Sequence, residues 1–203
     1  MILRQFVVGG MANNNYLIAD GDEAALIDCT GDIPELDSVL KENNVSLKKI
    51  LLTHAHFDHI AGVKKLQDRY GAKVYLLEAE KETLEFTDKF IEMYNIPSID
   101  VPKVDVWLKE GDKINVGNVS IDVLHLPGHT AGGAGYLIDN MVFSGDTIFL
   151  GSIGRTDLPG GDLETLKSSI RDKLFKLDDN TIIYTGHSGN TSVGYEKKYN
   201  GFV

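Results

Sequence analysis

Short apolar runs separated by polar clusters mark the start of the chain. Ile2–Val8, Tyr16–Ala19 and Ala24–Asp28 are brief, rich in β-forming residues and broken by Gly and Asn clusters, so they predict strands. Gly21-Asp22 predicts a hairpin turn between the second and third. Over Ile33–Asn43 the period changes, and Leu36, Val39 and Leu40 recur at helical spacing. Lys49–Thr53 is a compact buried strand that runs directly into a histidine-rich segment. A helix follows from about Ile60 to Tyr70 and ends near Gly71. Val74–Leu77 predicts a strand, and Glu78–Tyr94 a charged surface helix. Pro97 and Pro102 make Asn95–Lys103 a loop.

The rest of the chain repeats this logic. Strands are predicted at Val104–Leu108, Ile114–Val116, Val119–His125, Gly135–Ile138 and Met141–Ser144. Leu163–Leu177 carries Leu166, Ile170 and Leu174 on one stripe and predicts an amphipathic helix. Thr181–Thr185 predicts a final strand before Gly186-His187. No Pro/Ser linker divides the halves. The expected organisation is one α+β domain over residues 1–203, with two packed sheets and helices outside them.

Composition narrows the partners. Twenty Lys+Arg against 30 Asp+Glu give a net charge of −10. A protein that tracks phosphates needs a basic face, so nucleic acid is not expected. No apolar run approaches the ~20 residues of a spanning helix, so no membrane partner is expected either. The lone cysteine, Cys29, rules out an intramolecular disulfide and fits a reducing cytoplasm. The expected partner is a small-molecule substrate; the sequence sets no oligomeric state.

The chemistry concentrates at His54-Ala-His56-Phe-Asp58-His59. Residues two apart in extended chain point to the same side, so His54 and His56 can reach one cation. Asp58 and His59 lie where the chain turns toward a helix and can face a neighbouring site, although Asp58 alone would also serve as a helix cap. Imidazole and carboxylate together suit zinc, iron or manganese.

This motif resembles the His-x-His-x-Asp-His signature of the metallo-β-lactamase superfamily. Later segments match in order: Pro127-Gly-His129-Thr, Ser144-Gly-Asp146-Thr and Thr185-Gly-His187. The resemblance implies a four-layer αββα sandwich with the site at one edge of the paired sheets. It also implies two divalent metal ions, zinc foremost, with iron or manganese as alternatives. His54, His56 and His129 would hold the first, Asp58, His59 and His187 the second, and Asp146 would bridge them. Two cations about 3.5–4 Å apart turn a shared water into hydroxide at neutral pH. Asp58 and Asp146 offset part of their charge and are the catalytic candidates beside that hydroxide. His125 is the histidine left over and reads as structural.

Ile148–Gly161 further resembles the corresponding segment of small glyoxalase II-like proteins (hydroxyacylglutathione hydrolases), as do Thr191 and Gly194-Tyr-Glu196. That resemblance implies hydrolysis of thioesters such as S-lactoylglutathione. Full-length glyoxalase II adds a helical C-terminal domain whose basic residues grip glutathione, and no such domain is expected here. Persulfide dioxygenases share the framework with one iron, for which His54, His129 and Asp146 would serve; a lactonase is a third reading. Arg155 is a candidate for a substrate carboxylate, but a buried pair with Asp157 is the favoured reading. Cys29 reads as a small buried apolar residue, Asp28 as a candidate to orient a ligand histidine, and Tyr136 as a candidate to point into the site.

Overall fold

A computed structural model describes residues 1–203. The first half contains β1 (Ile2–Val8), β2 (Asn13–Asp20), β3 (Glu23–Ile27), α1 (Leu36–Glu42), β4 (Ser46–Leu51), α2 (Phe57–Ile60), α3 (Val63–Tyr70), β5 (Lys73–Leu77), α4 (Lys81–Met93) and β6 (Val106–Leu108). The second contains β7 (Lys113–Val116), β8 (Val119–His125), β9 (Ala134–Ile138), β10 (Met141–Gly145), β11 (Ile148–Phe149), β12 (Ser152–Ile153), α5 (Leu163–Asp172), β13 (Ile182–Thr185), β14 (Thr191–Ser192) and α6 (Val193–Tyr199). Two six-stranded sheets result, ordered β1-β2-β3-β4-β5-β6 and β14-β13-β10-β9-β8-β7. β3 to β6 pair in parallel, and α1, α3 and α4 supply the crossovers that parallel neighbours require.

Alternation along the strands builds the layers. In β2, Tyr16 and Ile18 face the opposite sheet while Leu17 and Ala19 face outward. In β3, Ala25 and Ile27 join the inner core and Ala24 and Leu26 the outer one. The outer core takes Leu36 and Leu40 from α1 and Val63 and Leu66 from α3. On the far side, Val142 and Ile183 pack against Leu166 and Ile170 of α5 and Val193 of α6. Three cores between four layers form the expected αββα sandwich. Leu26, Ile50 and Leu76 are wholly buried, and each such side chain contributes ~1.5–3 kcal/mol. No helix is long and apolar enough to cross a membrane.

Several boundaries depart from expectation for tertiary reasons. The helix expected from Ile60 divides into α2 and α3, with Gly62 as the cap of α3. A Cβ on Gly62 would lie 2.5 Å from the Gly31 carbonyl oxygen, and the Gly62 amide donates to Cys29 O. The chain breaks its helix there to pack against the β3–α1 loop. The helix expected over Glu78–Tyr94 opens as a 3-10 turn, Glu78–Glu80, with Glu80 turned inward and fully buried. The helix expected to reach Leu177 ends at Asp172 and gives way to a 3-10 turn at Leu174–Lys176. β2 begins three residues before Tyr16, because Asn13, Asn14 and Asn15 extend it as buried polar residues.

Candidate metal centre

The seven expected site residues converge at one edge of the sandwich. His54 and His56 lie in the loop beyond β4, and Asp58 and His59 lie in α2. β10 and β13 run parallel and end side by side, delivering Asp146 and His187. His129 sits in the β8–β9 connection. Their donor atoms form three overlapping sets, each within 4.8 Å: His54, His56 and His129; His54, His59 and Asp146; Asp58, His59 and His187. Asp146 is central, with Oδ1 3.4 Å from His59 Nε2 and Oδ2 3.4 Å from His187 Nε2 and 3.7 Å from His129 Nε2. His56, Asp58, His129, Asp146 and His187 line an open cleft of about 420 Å³. His54 and His59 lie beneath it, buried.

Hydrogen bonds behind the rings decide which nitrogen faces the cleft. A carboxylate only accepts, so His59 Nδ1 donates to Asp28 Oδ2 at 2.8 Å, leaving Nε2 for the site. His129 Nδ1 donates to the Arg155 carbonyl at 2.7 Å and His187 Nδ1 to the Met11 carbonyl at 3.0 Å. Thr53 Oγ1 gives its proton to Asp28 at 2.7 Å, so His54 Nδ1, 3.0 Å away, donates to it. Four imidazoles therefore aim Nε2 inward. His54 Nε2, His59 Nε2 and Asp146 Oδ1 are buried without a hydrogen-bond partner. Such atoms are costly unless a cation satisfies them. His56 Nδ1 faces His129 Nε2 at 3.0 Å, a spacing at which two lone pairs need a proton or a metal between them. The donor set fits divalent metal.

The electrostatics agree. Burial, then neighbouring imidazoles, hold His54 well below the usual range and take His56 down to about 3, so both stay neutral. Burial alone would lower His59 and His187 too. Asp146, Asp28 and Asp58 outweigh it at His59, and hydrogen bonds with Asp146 and Asp58 lift His187 to about 10. Burial opposes ionisation of Asp58 and Asp146, but the surrounding imidazoles hold both well below the usual carboxylate range. In the metal-free cleft, protons on His59 and His187 thus take the place of positive charge.

Three further groups support the donors, and two of them, Asn13 and Glu80, lie outside the motifs. Asn13 Nδ2 donates to Asp58 Oδ2 at 2.8 Å; Asp58 itself lies inside α2, whose cap residue is His56. Glu80 accepts from the Ala55 amide at 2.8 Å and the Gly132 amide at 2.7 Å. It thereby ties the His54–His56 loop to the loop carrying His129. Gly186 is the third, since a Cβ there would lie 2.0 Å from Asp146 Oδ1. Three asparagines abutting an apolar strand were a signal for the first; nothing local singles out Glu80.

Asp28 is the orienting group expected of it. It accepts from the Thr53 amide, the Thr53 hydroxyl and His59, from a left-handed conformation (φ 57°) that Asp tolerates. Cys29 is buried, donates to Gly31 O, and burial pushes its thiol up to about 12. His125 donates from Nε2 to the Ala131 carbonyl, away from the cleft donors. Two expectations are corrected. The Arg155–Asp157 pair forms, with Nε and Nη2 each 2.8 Å from a carboxylate oxygen, but it is exposed, because it lies on the cleft rim and not in a core. Tyr136 points away from the cleft into the core between the sheets, where strand alternation puts it, and its hydroxyl donates to Leu52 O.

A family model described as the metallo-beta-lactamase superfamily matches residues 8–187. The hydroxyacylglutathione hydrolase GloC of Haemophilus influenzae is 38% identical over 201 residues, covering 97% of this chain and 95% of that protein. Among solved structures, BLEG-1, described as a B3 metallo-beta-lactamase, is 34% identical with a TM-score of 0.90 over 99% of both chains. TTHA1623, solved in a di-iron-bound form, is 35% identical with a TM-score of 0.86, over 98% of this chain and 100% of its own. The sandwich, its edge cluster of His and Asp donors and the match over most of its length lead to one conclusion: the chain belongs to the metallo-β-lactamase superfamily.

Proposed function

We propose that this protein is a metal-dependent hydrolase of thioesters, of glyoxalase II type. The observation that carries the metal assignment is the convergence of seven donor side chains, with His54 Nε2, His59 Nε2 and Asp146 Oδ1 buried and without a hydrogen-bond partner. Likeness to GloC favours the thioester. His54, His56 and His129 would hold one cation and Asp58, His59 and His187 a second, with Asp146 within reach of both groups. Zinc is the first metal to test and iron the next, since the relative TTHA1623 is in a di-iron-bound form. Bound there, divalent cations supply Lewis acidity and an acidified water. Asp58 and Asp146 would offset that charge, and Phe57, Phe90 and Phe149 give the open cleft apolar walls. Cys29 takes no part as nucleophile, being buried and protonated.

The test is reconstitution with zinc or iron, followed by assays on S-lactoylglutathione, simple acyl thioesters, lactones and persulfides. Thioester turnover that tracks metal content is expected. Full metal loading with no thioester cleaved would overturn the reading, and oxygen uptake with a persulfide would favour a dioxygenase.

Two further outcomes follow from the geometry. Metal uptake at neutral pH should release the Nε2 protons of His59 and His187, both of which titrate above their ordinary range. Affinity should therefore fall as pH falls, and the binding enthalpy should vary with the ionisation enthalpy of the buffer; a buffer-independent enthalpy would exclude this proton exchange. Asp28→Asn removes the charge behind His59 and puts an amide donor where Thr53 or His59 already donates. Groups that orient metal-bound histidines are worth about 10–100-fold in metal affinity, and competition with a chelator would measure the loss.

A further inference from the structure

Beside the metal cleft lies a second pocket of about 190 Å³, between α4 and the Pro159-Gly160 turn. The two share His56, Phe57 and Phe90 as a common wall. Phe90 stacks against both His56 and Phe57, with ring planes 26° apart in each case. Ala55, Phe86, Ala131 and Pro159 add apolar lining, Glu82, Thr83 and Thr87 stand along the α4 side, and neither Lys nor Arg contributes. An apolar cavity of about 150 Å³ is enough to take up benzene, so this one suits a group of similar size. The larger cleft has Arg155 as its one Lys or Arg side chain, and Asp157 holds that guanidinium through two bonds. The carboxylates of a peptidic thiol such as glutathione meet no unpaired Lys or Arg side chain in either pocket.

Resting on the thioester reading above, we propose that this pocket receives the acyl group of the substrate, and that the acyl group is an alkyl or aryl chain of up to about benzene size. The carbonyl sits at the cleft donors, the chain passes Phe90 into the pocket, and the thiol carrier occupies the open cleft toward Ile153 and Leu158. Recognition then falls on the acyl side, and an uncharged carrier suffices.

The experiment uses the metal-loaded protein and acyl esters of N-acetylcysteamine, from acetyl to octanoyl, with a matched series that lengthens the thiol at constant acetyl. kcat/KM should climb about fourfold per methylene, which is ~0.8 kcal/mol of transfer free energy, until the pocket is full. Thr83→Phe, which fills the pocket from α4, should flatten that slope. Binding to metal-free protein gives a second readout: S-alkyl thioethers of N-acetylcysteamine, which cannot be hydrolysed, should bind more tightly as the alkyl chain grows. A flat acyl series with flat thioether binding overturns the pocket while leaving thioester hydrolysis standing, as does a slope found only in the thiol series. No hydrolysis at all, with thioether binding still rising with chain length and lost in Thr83→Phe, overturns the reaction and keeps the pocket.

Discussion

Asp146→Ala should strip the cleft of metal and cost nearly all turnover. The side chain reaches His59 with one oxygen and His129 and His187 with the other, so on the proposed assignment its loss removes a donor from both cations at once. It also removes one of the negative charges that hold His59 and His187 protonated in the metal-free protein, leaving five imidazoles around fewer carboxylates. Groups that merely orient metal-bound residues are worth about 10–100-fold, so deleting the bridge itself should cost at least about 100-fold in metal affinity, with a loss of kcat to match. Metal content after dialysis, read beside thioester turnover, checks this. A variant that keeps both metals and full activity would falsify the bridging role.

Gly186→Ala should do nearly as much without touching a donor. The new methyl group would stand 2.0 Å from Asp146 Oδ1, well inside any tolerated contact, and a tight 3.0 Å from His59 Cε1. The backbone at Gly186 keeps its bonds, accepting from the Asn14 amide and donating to Gly145 O, so the sheet edge stays and the carboxylate moves. Displacing a reacting group by about 1 Å can cost 10²-fold. The expected variant is folded, with near-native far-ultraviolet circular dichroism, yet binds metal poorly and turns over about 100-fold more slowly. Unchanged metal affinity would mean that Asp146 can step aside at no cost.

What the amino-acid order made legible was set by local periodicity and spacing. β2 and β3 carry short apolar runs broken by Gly and Asn clusters, and that pattern announces strands. His54, His56, Asp58 and His59 are close enough in sequence for geometry to be inferred from backbone type, and the partners His129, Asp146 and His187 came through resemblance to known motifs. Other features depended on contacts between distant segments. Asn13, Asn14 and Asn15 look like a break because polar triplets usually face water; here they lie beneath the edge loops and bond to Asp58, Thr185 and Thr30. Glu80 sits in a charged stretch that reads as surface, and only the folded chain shows two loop amides converging on it. The break at Gly62 is written in Gly31, thirty-one residues earlier, and not in the helix itself. Arg155 and Asp157, two residues apart, were foreseeable as a pair, but their exposure follows from the loop's place on the rim.

The cluster draws its members from both sheets: His54 and His56 follow β4 in one, while His129, Asp146 and His187 follow β8, β10 and β13 in the other. A cation shared across that seam is a clamp on the sandwich as well as a chemical tool. Because the unfolded chain scatters these residues over more than half its length, ligation selects the folded state, and a metal present at 100 times its dissociation constant adds ~2.7 kcal/mol of stability. On the proposed assignment, the melting temperature of this protein should therefore rise and fall with the metal supplied to it.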